Sequence, residues 1–213
     1  MTADRSLTSP PWWAESLLCL TLASKDRESV SGDLLEEYRQ SIVPALGDGA
    51  ERWYVRQVAA QVLRQTWPWA AAIASICIWR YLLDTLDPMH YTPGVIALRS
   101  SIMTWALVGT FAICGAWHAW RTANPLAGMY LTLVTAWTGG ALAVAGTAFF
   151  LAVRHDPATI AAIDGSGGFG ELWAIPLIMM PMIGTTLGSL GGFAGYLARA
   201  AQDYWSSPNT KSA

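Results

Sequence analysis

One glycine pattern in the sequence is of the kind that holds a dinucleotide phosphate. Residues 165–170 read Gly-Ser-Gly-Gly-Phe-Gly, and glycines at this spacing let a pyrophosphate approach the backbone at a helix N-terminus. Such a site also needs a preceding strand and a surrounding βαβ unit, and no strand or βαβ unit is predicted here. We therefore interpret residues 165–170 as a loop and predict no cofactor.

Acidic and histidine side chains are concentrated in two other predicted connections. Asp84, Asp87 and His90 follow one another at three-residue spacing, with Pro88 breaking the helix that would align them. The second connection contains His155, Asp156, Asp164 and Glu171. Carboxylates and imidazoles are metal ligands, but solvated loops are the favoured interpretation. No metal ligand is assigned, and a metal site between the two loops stays open.

A serine and a histidine in separate apolar runs form the third candidate. His118 lies one turn from the end of one run, and Ser189 lies at a similar expected depth in another. An imidazole beside a hydroxyl can act as the general base that activates the hydroxyl as a nucleophile. The Gly-x-Ser-Gly setting of intramembrane serine proteases is absent, because position 187 is Leu. We predict no catalytic residue and interpret His118 as a histidine at the membrane interface.

The elements that carry these residues fall into a polar part and an apolar part. The 213 residues are 53% hydrophobic and 13% charged, whereas soluble domains carry about 25% charge. Residues 1–66 contain 16 charged side chains, whereas residues 67–198 contain only nine. A net charge of −2 argues against a nucleic-acid binder. The sequence predicts a normally charged module of residues 1–66, followed by a membrane part.

Four apolar runs in the second part are long enough to cross a bilayer. They cover residues 67–83, 95–120, 126–153 and 172–198, and a span needs about 20 apolar residues. Arg80 extends the shortest run by reaching the interface with its long side chain. Because lipid offers no hydrogen-bond partners, each run must be helical. The fold class is therefore all-α: a polytopic membrane protein with a four-helix transmembrane bundle in residues 67–198, in contact with the lipid bilayer.

The basic residues predict the orientation of this bundle. Among the basic residues that flank the apolar runs, six lie on the cytoplasmic side and three outside when the N-terminus is inside; the six are Arg52, Arg56, Arg64, Arg121, Arg199 and Lys211. Cytoplasmic loops carry the excess of Lys and Arg, so both termini are predicted to be cytoplasmic, with residues 199–213 as a disordered tail. The three cysteines are widely spaced and suggest neither a disulfide framework nor a zinc site.

Residues 1–66 predict a small cytosolic module of three helices. Residues 9–11, Ser-Pro-Pro, mark the start of the first helix, and residues 31–33, Ser-Gly-Asp, mark the start of the second. Gly47 is expected to end the second, and residues 48–51 to cap the third. Pro68 is expected where the first spanning helix begins or kinks.

Three stretches of this module carry a family resemblance. Residues 10–18 read PPWWAESLL, residues 27–39 read RESVSGDLLEEYR, and residues 50–57 read AERWYVRQ. Over about residues 10–66 the chain resembles the permease prefix domain of bacterial, acidobacterial-type orphan permeases. The resemblance implies a bacterial inner-membrane protein whose cytosolic prefix docks a partner. The membrane part does not match the permease domain of that family, so export activity is not implied.

Eight residues of the prefix-like part form the predicted docking set. They are Gly32, Asp33, Leu34, Glu36, Glu37, Tyr38, Trp53 and Tyr54. The first six belong to the Gly-Asp-Leu-x-Glu-Glu-Tyr core of the resemblance. The acidic residues among them also suit the positive end of a helix dipole, so capping is the alternative interpretation.

Glycines at four-residue spacing mark the last apolar run. Gly184, Gly188 and Gly192 share one helix face, and Gly191 and Gly195 form a second pair beside it. Such a face lets another helix backbone approach closely. It predicts packing within the bundle or, alternatively, the seam of a homo-oligomer or of a complex with another membrane protein.

Taken together, these patterns predict a non-enzymatic inner-membrane protein, an interaction, regulatory or accessory subunit. No acidic residue lies inside the second to fourth apolar runs, whereas ion-coupled carriers keep an intramembrane carboxylate or base. A small passive pore or transporter subunit is the alternative, and an intramembrane enzyme is the less favoured third. The sequence does not identify the partner or the process.

Overall fold

The computed structural model describes residues 9–86, 93–154 and 173–206. Within these ranges all regular elements are helical, which confirms the all-α prediction. The α-helices are α1 (Trp12–Thr21), α2 (Arg27–Glu37), α3 (Val43–Leu46), α4 (Ala50–Leu86), α5 (Pro93–Thr122), α6 (Pro125–Arg154) and α7 (Met180–Ser206). A π-helical turn, Tyr38–Ile42, joins α2 to α3, and a second, Ile175–Met179, precedes α7.

Three helical segments among the described residues are long and apolar enough to cross a membrane. They are Ala97–Thr122, Pro125–Val153 and Ile175–Ser206, and they match the second, third and fourth predicted runs. The first predicted run, residues 67–83, is not among them. It forms the second half of α4 and is the shortest of the four runs.

Helix α4 joins the two parts of the chain without a break. It extends over 37 residues with Pro68 inside it, a length of about 55 Å at about 1.5 Å per residue. Pro68 therefore does not begin a helix, in contrast to one of the two predicted alternatives. The expected division at residue 66 is a change of composition within one continuous helix.

Two other predicted boundaries are wrong. Helix α2 begins at Arg27 rather than at residues 31–33, because the chain already turns helically at Asp26 without a side-chain cap. Helix α7 continues to Ser206, so the prediction of a disordered tail fails for residues 199–206. Gly47 does end α3, with a φ of +49° that suits glycine.

The four long helices form a bundle with a fixed register. Helix α7 packs along α5 and α6, and α4 packs chiefly along α6. Gly184 of α7 approaches Phe111 of α5 and Ala136 of α6. Further along, Gly195 of α7 approaches Ala116 of α5, whereas Gly192 approaches Pro125 of α6. Helix α7 is therefore parallel to α5 and antiparallel to α6, and its C-terminal end lies at the end of the bundle that carries the module.

Candidate functional site: the junction of module and bundle

His118 and Ser189, the candidate pair that the sequence analysis set aside, are not hydrogen-bonded to each other. The Ser189 hydroxyl donates to the carbonyl oxygen of Thr185 at 2.7 Å, on its own helix. The His118 side chain is 2% exposed, and its Nε2 has no hydrogen-bond partner among the described residues. The imidazole is thus buried inside the protein, with the centroid of the Trp69 ring 6.4 Å from its own, and its position at the membrane interface stays a prediction.

The other predicted chemistry lies mostly outside the described residues. This applies to the glycine loop of residues 165–170, to residues 87–92 and to residues 155–172. Asp84 is on the last turn of α4. Within the part of the chain that the structure describes, no three His, Cys, Asp or Glu side chains are grouped so as to hold a metal ion.

The best-defined polar site is the contact between the module and the end of α5. The backbone N–H of Ser24 donates to the carbonyl oxygen of Arg121 at 3.3 Å. The guanidinium of Arg27 donates through Nη2 to the carbonyl oxygen of Thr122 at 2.9 Å. The last carbonyls of a helix lack partners within the helix and carry a partial negative charge. The module therefore caps α5 with a cation and a backbone donor.

A second polar layer lies directly behind this cap. The Arg121 guanidinium donates to Gln65 of α4, and the Thr122 hydroxyl donates to the carbonyl oxygen of His118 at 2.8 Å. Thr66 is fully buried and donates to the carbonyl oxygen of Val62 at 3.0 Å. The Arg121–Gln65 bond joins the end of α5 to the middle of α4, whereas the two threonine hydroxyls bond within their own helices.

An apolar core continues from the module into the bundle. The buried side chains of α1 and α4, Leu18, Val58 and Val62 among them, form one cluster with Leu131 of α6. Tyr130 of α6 is partly buried against the same cluster. The module is thus packed on the bundle as well as hydrogen-bonded to it, and its position relative to α5 and α6 is defined by both kinds of contact.

The structure separates the eight predicted docking residues into three groups by their exposure. Gly32, Asp33, Glu36 and Glu37 are exposed, while Leu34 and Trp53 are half-buried. Tyr38 and Tyr54 are fully buried in the module core. Helix α2 itself has no buried residue, although its first residue, Arg27, anchors it to Thr122. The accessible part of the set is therefore the acidic face of α2.

Tyr38 and Tyr54 form the centre of the module core. Their rings meet edge to face with centroids 5.5 Å apart, and neither hydroxyl has a hydrogen-bond partner among the described residues. Burial, reinforced by the charge of Glu15, raises the pKa of Tyr54 to about 12. Burial and the charge of Glu51 also raise the pKa of Tyr38. Both phenols therefore stay neutral, and their rings pack in the module core.

The five predicted packing glycines of α7 all face the inside of the chain. Gly184, Gly188, Gly191, Gly192 and Gly195 are buried. A β-carbon at Gly191 or Gly195 would collide with a carbonyl oxygen of α5, and one at Gly188 would lie 2.5 Å from the β-carbon of Thr132 in α6. The glycine spacing predicts either packing within the bundle or an oligomer seam for this face. The face is already filled by packing within the bundle.

Sequence reasoning missed the residues that fasten the module to the bundle: Ser24, Arg27, Gln65 and Arg121. Arg27 lies inside a stretch used for the family resemblance, but nothing in its spacing indicates a target 95 residues away. The local signal in the sequence is Arg121, a basic residue directly after the end of the second apolar run.

No protein-family model, no curated protein and no solved structure matches this chain. The features of the molecule that bear on function are the geometry of the junction, the exposed face of α2 and the packing of the bundle.

Proposed function

We propose that this protein is a non-enzymatic inner-membrane subunit whose cytosolic prefix-like module docks a protein partner. The observation that carries the proposal is helix α2, which has no buried residue and is nevertheless held at a fixed position by Arg27. Its exposed side bears Asp33, Glu36 and Glu37. A rigidly mounted acidic helix is suited to a partner surface rich in Lys or Arg.

The proposed topology has four spanning helices with both termini in the cytoplasm. The second half of α4 supplies the fourth span, since Ile73 and Ile78 pack against Gly139 and Gly146 in the middle of α6. Arg121 and Arg199 lie at the end of the bundle that carries the module. This placement supports a cytoplasmic location for the module, because cytoplasmic ends of membrane helices are enriched in basic residues.

Removing two acids from α2 tests the docking role. The full-length protein is solubilised from native membranes, and the stoichiometry of co-purified protein is measured by quantitative mass spectrometry. We expect Asp33→Ala with Glu37→Ala to reduce a stoichiometric partner about tenfold, the loss of two charge pairs worth about 0.7 kcal/mol each.

The matched control is Asp48→Ala with Glu51→Ala, which removes the same charge from two exposed residues outside α2. This variant is expected to retain the partner. Equal loss from both variants, or retention by both, would contradict docking by α2 and would favour the alternative in which the acids only stabilise the helix.

The alternative of a small passive pore finds less support. The backbones of α5, α6 and α7 touch at Gly115, Gly128 and Gly188, so the interior of the bundle is filled by packed backbone. Solute flux through liposomes that contain only this chain would restore that alternative.

A further inference from the structure

An open groove on the outer surface of the bundle has no part in the proposed docking by α2. It has a volume of about 540 Å³ and lies between α6 and the first half of α7. Trp137 borders it on α6, and Ile178, Met182 and Thr186 border it on the side of α7. The glycines of α7 face away from it, into the bundle. The groove therefore lies on a face of α7 other than the glycine face, and among the described residues its lining comes from α6 and from residues 177–186.

Trp137 occupies an unfavourable position in this groove. It is 61% exposed and belongs to the middle of the span Pro125–Val153, about 18 Å from the first residue of that span at about 1.5 Å per residue. Its indole N–H makes no hydrogen bond within the described residues. Tryptophan favours the membrane interfaces, and the hydrocarbon core offers no acceptor. The indole needs an acceptor that lipid chains do not provide.

Thr186, across the groove, carries such an acceptor. It is exposed, and its hydroxyl donates to the carbonyl oxygen of Met182 at 3.0 Å. The hydroxyl proton is therefore engaged, while the oxygen retains a lone pair that can accept. Since Ala136 contacts Gly184, Trp137 and Thr186 lie within about one helical turn of the same depth.

We infer that this groove is the interface of a symmetric homodimer, in which Trp137 of each copy donates to Thr186 of the other. Copies inserted with the same orientation are related by a two-fold axis along the membrane normal, so residues of equal depth meet across the interface. A donor and an acceptor on one patch then make the patch self-complementary. The inference rests on the proposed spanning topology of α6 and α7, and it is independent of docking by α2.

The test is dimerisation of the full-length protein in liposomes, measured by single-molecule photobleaching over a range of protein-to-lipid ratios. We expect a density-dependent equilibrium between monomer and dimer. Trp137→Phe and Thr186→Val each remove two interhelical hydrogen bonds from a symmetric dimer, which corresponds to about a tenfold higher dissociation constant. The double variant is expected to be no weaker than either single variant, because both remove the same bonds.

Two further variants make the result specific. Trp105→Phe changes a tryptophan of α5 that is 73% exposed but does not border this groove, and it is expected to dimerise like the wild type. Thr186→Ser keeps the acceptor and is expected to do the same. Monomers at every density would overturn the inference and leave lipid as the occupant of the groove. Dimers equally stable in all variants would overturn it as well, whether or not α2 captures a partner.

Discussion

The N-terminal module and the membrane bundle bury opposite kinds of side chain. In the module the buried residues include Leu18, Tyr38 and Tyr54, and the surface of α2 is charged. In the bundle the interior is built largely from glycine, alanine and threonine, while large apolar side chains such as Phe193 and Leu190 point outward.

The difference follows from the solvent on the outside. Water drives large apolar side chains into the module, because their burial removes apolar surface from water. Lipid is as apolar as leucine and provides no such drive, so the bundle gains stability from close backbone contact, which small residues allow. Substitution of the same residue type should therefore change the stability of the protein by different amounts in the two regions.

The largest effect is expected for Gly188→Leu. A β-carbon at this position would lie 2.5 Å from the β-carbon of Thr132, and the backbone of Gly115 closes the other side. Because the β-carbon of Thr132 is attached directly to the backbone of α6 and the backbone of Gly115 cannot yield, we expect a loss of about 3 kcal/mol or more and loss of the folded bundle, measured by thermal melting in detergent. The control is Gly109→Leu, where a β-carbon has nothing within 4 Å. Similar melting of both variants would refute backbone contact as the basis of bundle stability.

A pair of identical truncations compares the two regions directly. Leu18, in the module core, is 2% exposed, whereas Leu190, on the outer face of α7, is 66% exposed. Leu18→Ala is expected to destabilise the protein by about 2–5 kcal/mol, and Leu190→Ala by less than about 0.5 kcal/mol. Denaturant titration in detergent micelles measures both. If Leu190→Ala costs as much as Leu18→Ala, the placement of the Leu190 side chain outside the bundle is wrong.

A smaller effect is expected at the junction of the two regions. Arg27→Met keeps the aliphatic stem but removes the donor to Thr122. We expect this change to weaken the attachment of the module to α5 by about 1 kcal/mol. Hydrogen exchange of the amides in residues 118–126 should become faster. Lys25→Met alters an exposed cation two residues away and should leave exchange unchanged. Unaltered exchange in Arg27→Met would show that the apolar cluster and the Ser24 N–H bond hold the module without the arginine.

The smallest effect at neutral pH is expected for Tyr54→Phe. Removing a buried hydroxyl without a partner should change stability by less than about 1 kcal/mol. At alkaline pH the two proteins should differ. The pKa of Tyr54 is raised by burial from its usual 10.0 to about 12, so the unfolded chain ionises first. The stability of the wild type should be complete below pH 10 and fall towards pH 12.

Chemical denaturation between pH 8 and pH 11.5 measures this difference. The phenylalanine variant should lose less stability than the wild type over this range, because only Tyr38, whose pKa is also raised by burial, remains in the module core. Tyr204→Phe, at a tyrosine that is 78% exposed, is the control and should lose stability as the wild type does. Parallel curves for Tyr54→Phe and the wild type would contradict a neutral buried phenol at this position.

Particular residues show what can and cannot be predicted from the sequence. The positions of α5, α6 and α7 follow from three long apolar runs, and the end of α3 follows from Gly47. The start of α2 at Arg27 was missed, because Ser31 and Asp33 are good capping residues that the structure places inside the helix. Burial of Tyr38 and Tyr54 was also missed, since a short motif does not indicate which of its side chains face the core.

The amino-acid sequence alone determined the helical class and three membrane-length segments, because a bilayer imposes a minimum length and allows only internally hydrogen-bonded backbone. Only the tertiary structure decided how α7 uses its two faces, with glycines against α5 and α6 and Thr186 left outside. It alone also placed Arg27 on the last carbonyl of α5. Such contacts join residues far apart in the chain, and their geometry depends on packing between helices, which local residue patterns do not encode.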